Sequence, residues 1–344
     1  MNTNYRYTLA SNKVPKLTCP RCQRPKHWQR YIDKETGEIL PPQYGKCDNA
    51  EKCKEWVKPP KASGLSDTYQ PRPQPKARPR VYIPAEVLAQ TERNQMQSDF
   101  LRFLMDRAPF PFAENEVQKV AALYHLGGIS KGKYTGAVTF PFIDGLGNVR
   151  AIQVKTFDKA NHTTGQDFIH SIIEKVSKAQ GIEPPEWIKP YNSQEDKVSC
   201  FFGLHLVPKY PRHRIALVEA PKTAIYGALY YGLPEQSDLL WLAVYSKQAF
   251  TENRFLSLAG REVIIYPDLS KNSETYFEWK KKAEAFQNKY PGRFTVRDDL
   301  ESYATPEQRA KGADLADFLI LADWRQFRQS ITGKEQVNNS TEQP

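Results

Sequence analysis

The period of apolar and polar positions changes several times along the chain. Residues 215–218 (Ile-Ala-Leu-Val) form a short unbroken apolar run, the pattern of a strand buried on both faces. The run stops at Glu219. Pro221 follows, where a helix's first turn tolerates a missing N–H, and Ile225, Leu229 and Leu233 continue at helical spacing. This predicts strand, tight turn and helix, with a carboxylate at the strand's C-terminal end. Residues 239–244 read as a second strand, with a helix over 251–258. Residues 262–266 read as a third, which ends in Pro267-Asp268-Leu269-Ser270 before a helix over about 274–289. The β-α-β-α-β-α order predicts a parallel sheet with right-handed crossovers. In such a sheet Glu219 and Asp268 both sit on the carboxyl edge, where open α/β sheets bind ligands.

Upstream, residues 84–126 carry helical periodicity, with Phe100, Leu101, Phe103 and Leu104 on one apolar face and Val117, Val120, Ala121 and Tyr124 on another. Residues 136–143 and 149–155 read as two strands joined by Asp144-Gly145-Leu146-Gly147-Asn148, a strong hairpin signal. Residues 163–198 are polar and interrupted by prolines, and their pattern predicts no element order. Residues 199–203 suggest another short strand, and the apolar flank of Cys200 makes it a buried thiol rather than a nucleophile. Repeated prolines between Pro59 and Pro79 predict an extended, semi-stiff linker, and the polar stretch after 331 a disordered tail. The expected organisation is 1–58, a linker over 59–83, 84–207, 208–330 and a tail over 331–344.

Charge and cysteines single out the N-terminal part. The chain carries a net charge of +10, and residues 1–80 hold all of that excess. Nucleic acid is the natural partner of such a patch, and solubility the bland alternative. Cys19, Cys22, Cys47 and Cys53 fall within 35 residues, a clustering that favours tetrahedral zinc over disulfides. The wider second pair leaves His27 as a possible substitute ligand. A domain this small gains its fold from the metal. Residues 33–37 read as the turn of a hairpin in a zinc β-ribbon. Trp28, Tyr31, Tyr44 and Trp56 are interleaved with Arg21, Arg24, Lys26, Arg30, Lys46, Lys52 and Lys54. Such aromatics either stack on unpaired bases while the cations hold phosphates, or build the ribbon's own core. Arg72, Lys76, Arg78 and Arg80 in the linker either track a phosphate backbone or keep the segment solvated. No apolar run is long enough to span a bilayer and no secretory signal opens the chain, so a cytoplasmic location is expected.

The strand–turn–helix with Glu219 and the later Asp268 resembles a Toprim domain, the metal-binding fold of DnaG-type primases, topoisomerases and some nucleases. That family has a Glu after one strand and Asp-x-Asp after a later one; here Ser270 stands in place of the second Asp. The wider layout resembles primase-type proteins of mobile elements: a zinc ribbon, the phrase Phe140 to Arg150, then Phe202 to Leu206, then the Toprim-like region. The fold class expected is α/β, with an N-terminal zinc β-ribbon, an α+β middle region and a C-terminal Toprim-like, Rossmannoid parallel sheet. The resemblance implies DNA as partner, single-stranded by preference, with a helicase or other replication proteins alongside.

The resemblance also implies Mg²⁺ at Glu219 and Asp268, with Asp314 of the acidic phrase 312–317 as a third ligand and Lys222 as a further catalytic group. Two converging carboxylates repel unless one is protonated or a cation lies between them, and Mg²⁺ suits oxygen ligands. Ser270 removes one strong ligand, so three readings stand open: Mg²⁺-assisted nucleotidyl transfer, an accessory protein with a relic site, and a nuclease. Asp314 and Asp317 alternatively serve as helix N-cap and dipole partner. Lys222-Thr223 lacks the glycines of a phosphate-binding P-loop, which excludes that reading.

Overall fold

The computed structural model describes residues 6–11, 14–49, 53, 55–59, 79–194 and 196–328. The linker cations Arg72, Lys76 and Arg78, Lys52 and Lys54 of the basic–aromatic stretch, and the tail after 331 lie outside the described residues. The chain divides into two compact units, Met1–Pro79 and Arg80–Pro344. Among the described residues no helix is long and apolar enough to cross a membrane.

The first unit is an antiparallel sheet in the order β1 (Tyr7–Leu9), β2 (Trp28–Asp33), β3 (Gly45–Cys47), β4 (Trp56–Val57). Asp33 closes the turn predicted after β2: its amide donates to Glu38 O and its carboxylate accepts from Glu35 N at 2.9 Å. Tyr7, Tyr31, Leu40 and Tyr44 make one small core, and Trp28 packs with Cys19, Cys47 and Cys53 in another. Gly45 is required there: a Cβ on it would stand 2.5 Å from Trp28 Cε2.

The second unit opens with α1 (Ala85–Glu92), α2 (Asp99–Arg102) and α3 (Glu114–Leu123). Its first sheet is antiparallel, in sequence order: β5 (Gly127–Gly128), β6 (Val138–Ile143), β7 (Val149–Phe157), β8 (Thr163–Phe168). β6 and β7 form the predicted hairpin, with Asp144 N–H donating to Asn148 O across the turn. The polar stretch without a sequence reading holds β8, then α4 (Ile169–Gln180), capped by Gly181 in the left-handed region, and α5 (Ile188–Asn192). Residues 199–203 form no regular strand; Phe202 makes one bridge to Ala243.

The second sheet is parallel. It comprises β9 (Arg214–Val218), β10 (Leu239–Ala243), β11 (Glu262–Ile265) and β12 (Arg293–Val296), in the order β10-β9-β11-β12. Between β9 and β10 runs α6 (Pro221–Tyr231), and between β10 and β11 the short α7 (Glu252–Phe255). Between β11 and β12 runs α8 (Glu274–Gln287); α9 (Asp299–Tyr303), α10 (Pro306–Lys311) and α11 (Leu315–Leu319) follow. β9 and β10 are buried along nearly their whole length, as an unbroken apolar run demands of a strand covered on both faces. One hydrophobic core joins the two sheets, from Phe140, Phe142 and Ala151 to Ile215, Leu242 and Ile265.

Candidate functional site

The chain leaves β9 for β10 on one side and returns to β11 on the other, so β9 and β11 flank the point where strand order reverses. Crevices open outside the carboxyl ends of such strands. Glu219 follows β9 directly and Asp268 follows β11 by three positions, with Ile265 in register with Leu217. Both therefore lie at the same edge. The Glu219 carboxylate accepts the Lys247 amide at 3.0 Å, and the Glu219 carbonyl accepts the Tyr245 amide, which ties it to the loop after β10.

The C-terminal helices complete the crevice. The Leu269 amide donates to Ala313 O at 3.0 Å, which docks the turn before α11 against the Asp268 loop. Asp314 caps α11 by accepting the Asp317 amide at 3.1 Å, and Asp317 returns the bond to the Asp314 amide at 3.0 Å. The second oxygen of Asp314 accepts the Thr223 hydroxyl at 2.9 Å. Asp314 is thus both a helix cap and a wall of the crevice. Lys222, in the first turn of α6, sends its ammonium to 3.5 Å from Asp314 Oδ2 and 3.6 Å from Asp317 Oδ1.

Electrostatics bind these groups into one cluster. Burial, then the nearby Asp314 and Glu219, push the Asp268 carboxyl well above its ordinary range, although the residue is not wholly shut off from solvent. Burial raises Glu219 too, against the pull of the Lys247 amide and ammonium. Burial works against the charge of Lys222, but Asp314 and Asp317 outweigh it and the ammonium is held more firmly than usual. Lys155 reaches the cluster from β7; burial and the neighbouring Lys222 lower it, while Asp314, Asp268 and Glu219 oppose that. Sequence reasoning does not find Lys155, since nothing in a lone lysine on a hairpin strand signals a crevice contributed by another sheet. Beside the cluster lies a cavity of about 380 Å³ lined by Asn161, His162, Lys222, Tyr226, Ala316 and Asp317.

Ser270 serves the helix that follows it. Its hydroxyl accepts the Thr275 amide at 3.0 Å in the first turn of α8. One Mg²⁺ with ligand oxygens at about 2.1 Å needs them within roughly 4 Å of one another. Among the described residues, only the four cysteines bring three or more such ligand atoms within 4.8 Å. Glu219, Asp268 and Asp314 do not close around a common point, and Lys222 stands beside Asp314. They do not together make a three-carboxylate site for one Mg²⁺, an ion that also binds through one or two carboxylates and water.

The cysteines do fit zinc. Cys19 and Cys53 sulfurs lie 3.7 Å apart and Cys22 and Cys47 sulfurs 3.9 Å apart. A tetrahedron with Zn–S of about 2.3 Å has edges of about 3.8 Å. Cys19, Cys22, Cys47 and Cys53 would hold the ion, and the His27 ring is hydrogen-bonded to Asp48 instead.

The predicted nucleic-acid residues separate by exposure. Trp28 is 1% exposed, and its ring lies against the cysteines with its N–H on Pro42 O. It is a core residue and offers no face to a ligand, which corrects the sequence-based expectation. Tyr31 and Tyr44 are likewise core. Arg21 pairs with the buried Glu55 at 3.1 Å, Arg24 and Arg30 are half-buried, and Lys26 is exposed. Arg80 belongs to the second unit and donates to Asp196 O at 2.8 Å. Trp56 is the aromatic that stays out, at 47% exposure. It sits in register with Lys46, and the ammoniums of Lys46 and Lys58 lie 4.4 and 4.3 Å from its ring centroid.

Comparison with known proteins follows the same division. A zinc β-ribbon finger model matches residues 5–66. No curated protein matches the chain. Similar solved structures include a DnaG primase catalytic domain bound to ssDNA, at 12% identity and a TM-score of 0.42, covering 73% of this chain and 76% of that one. They also include the zinc-binding and RNA polymerase domains of the Aquifex aeolicus primase, at 13% identity and a TM-score of 0.42, covering 72% of this chain and 59% of that one. The primase fragment of the bacteriophage T7 primase-helicase is another, at 11% identity and a TM-score of 0.32, covering 82% of this chain and 89% of that one. The model described as "Domain of unknown function (DUF6371)" matches residues 98–269, half of the chain and the stretch that carries Lys155, Glu219 and Asp268, so the protein belongs to that family.

Proposed function

We propose that this chain is a primase-like protein of a mobile element or plasmid that binds single-stranded nucleic acid in DNA replication, with its Toprim-like region in an accessory rather than a catalytic role. The observation that carries the nucleic-acid reading is Trp56. Its ring is half in solvent, pinned by its N–H on Tyr31 Oη at 2.7 Å, and flanked by Lys46 and Lys58. Among the described residues neither lysine has an acidic partner. A base that stacks on this indole displaces an ammonium, which is then free for the adjoining phosphate. The N-terminal charge excess acts in the same direction.

The accessory role rests on the crevice, where Ser270 serves α8 and Glu219, Asp268 and Asp314 do not gather within ligand reach as a set of three. Mg²⁺-dependent nucleotidyl transfer is the second reading. It is favoured by Glu219 and Asp268 flanking the switch point of one parallel sheet. A replicative helicase is a partner suited to either role.

The test is binding of fluorescent oligonucleotides across a salt series. Wild type should prefer single strands, and Trp56→Ala should weaken binding by roughly 1–3 kcal/mol with the salt slope unchanged. Lys46→Gln with Lys58→Gln should flatten the log–log slope by about 0.7 for each phosphate no longer neutralised. Equal binding by Trp56→Ala and wild type would place the nucleic-acid surface elsewhere. Primer synthesis that requires Mg²⁺ and disappears in Glu219→Gln would establish the second reading.

A further inference from the structure

We propose that Lys222 is the resident cation of the acidic crevice: its ammonium takes the place a divalent ion would hold beside Asp314, Asp317 and Asp268, and the crevice therefore does not take up Mg²⁺. The inference stands on the parallel-sheet crevice alone and not on the nucleic-acid reading of the ribbon.

Three observations carry it. The first is position. Lys222 is the second residue of α6, where a positive charge opposes the helix dipole. A lysine with a side chain only 12% exposed at that point is tolerated when carboxylates surround it, and Asp314 and Asp317 lie at 3.5 and 3.6 Å. The second is the way Asp314 is held. One oxygen accepts the Asp317 amide and the other the Thr223 hydroxyl, so each oxygen already spends one of its acceptor sites on the protein. The third is charge. Glu219, Asp268, Asp314 and Asp317 act on Lys155 and Lys222 within one cluster of charges. An added divalent ion would meet two ammoniums at short range, in a crevice where water screens their repulsion poorly. Ser270, whose hydroxyl accepts the Thr275 amide, brings no negative charge to offset them.

The experiment uses the full chain loaded with zinc. Mn²⁺ binding is followed by electron paramagnetic resonance, and melting of the second unit is followed with and without Mg²⁺ at constant ionic strength. Wild type should show no specifically bound Mn²⁺ and no saturable Mg²⁺ shift in Tm. Lys222→Met keeps the aliphatic stem and removes the charge. It should melt lower without metal, bind one Mn²⁺, and recover Tm with Mg²⁺ as RT ln(1 + [L]/Kd) requires. Lys222→Arg, which keeps the charge, should behave as wild type. Tight Mn²⁺ binding by wild type that Glu219→Gln abolishes would overturn the proposal. So would a folded Lys222→Met chain with no Mn²⁺ site, because the vacated position would then not be a metal position. If Lys222→Met fails to fold, the same comparison is made in Lys222→Gln. These readouts do not involve oligonucleotides, so their outcome is separate from that of Trp56→Ala.

Discussion

Gly227 of α6 lies directly on the indole of Trp241 in β10: a Cβ at position 227 would stand 2.2 Å from Trp241 Cδ2. The strand's backbone is also fixed at this point, since Tyr124 donates its hydroxyl to Trp241 O at 2.9 Å. Helix propensity alone makes Gly227→Ala favourable by about 1 kcal/mol. Overpacking against a fully buried ring costs about 1–3 kcal/mol or more. The clash should win, and urea denaturation should show Gly227→Ala less stable than wild type. A stabilised variant would mean that α6 stands farther from the sheet.

Thr223 and Asp314 supply a second check on the same helix. Thr223→Val keeps the shape but removes the donor at 2.9 Å from Asp314 Oδ2. Hydrogen bonds to charged groups contribute about 1.5–3 kcal/mol. A loss in that range is expected on denaturation, and an unchanged midpoint would show that the Asp314 carboxylate does not need this bond.

Asp268 links pH to stability. Its folded carboxyl titrates above the unfolded value, so its contribution is present below the ordinary value of 3.8 and is lost as pH rises through the folded value. At neutral pH the folded state carries the remaining penalty. Asp268→Asn should therefore melt higher than wild type at about pH 8, with the gap narrowing on acidification. A variant less stable under those conditions would indicate that the charged carboxylate is required.

His205 acts with the opposite sign. It is 6% exposed, its Nε2 meets Leu123 O at 3.1 Å, and its buried Nδ1 has no partner. Burial pushes it down to about 4, with His125 and Lys209 adding to the shift. The folded value lies below the unfolded value of about 6.5, so the stability is present above about pH 6.5 and is lost as pH falls to about 4. The loss is on the order of 3 kcal/mol. His170, also pushed to about 4 by burial, adds a similar share. His205→Gln should flatten the acid limb of the stability–pH curve without abolishing it.

Zinc removal should act on the first unit alone. Its two cores hold only a few side chains each, too little for independent stability without the metal. Chelation, or Cys19→Ser, should abolish amide protection in β2 and β3 while the transition of the second unit stays in place. Hydrogen exchange checks both.

Much of the crevice was legible because it rests on local rules. The run Ile215 to Val218, the stop at Glu219 and Pro221 at the start of α6 are each adjacent in sequence, and the parallel order then places Asp268 on the same edge. Cysteine clustering marked the zinc ligands in the same way. Other features depend on distant partners. β8 is polar and largely exposed, so Thr163–Phe168 lacks apolar alternation and is fixed by pairing with β7. β12 is four residues long with only Phe294 fully buried. The choice between Trp28 and Trp56 as the exposed ring depends on which one faces the sulfurs, a matter of register between β2, β3 and β4. Lys155 belongs to the crevice only because two sheets share a core.

The bond between Thr223 and Asp314 spans 91 positions. During synthesis at about 5–20 residues per second, α6 leaves the ribosome on the order of 5–20 s before Asp314 does. Through that interval Lys222 has neither of its two carboxylate partners, and the Asp268 loop lacks the Ala313 carbonyl that receives the Leu269 amide. The crevice is thus completed late on a nascent chain, and the segment that seats Trp324 and Arg328 follows it. A premature stop anywhere between 270 and 313 would release a protein that retains β9, β10 and β11 but carries a half-buried lysine with no counter-charge from the missing helices.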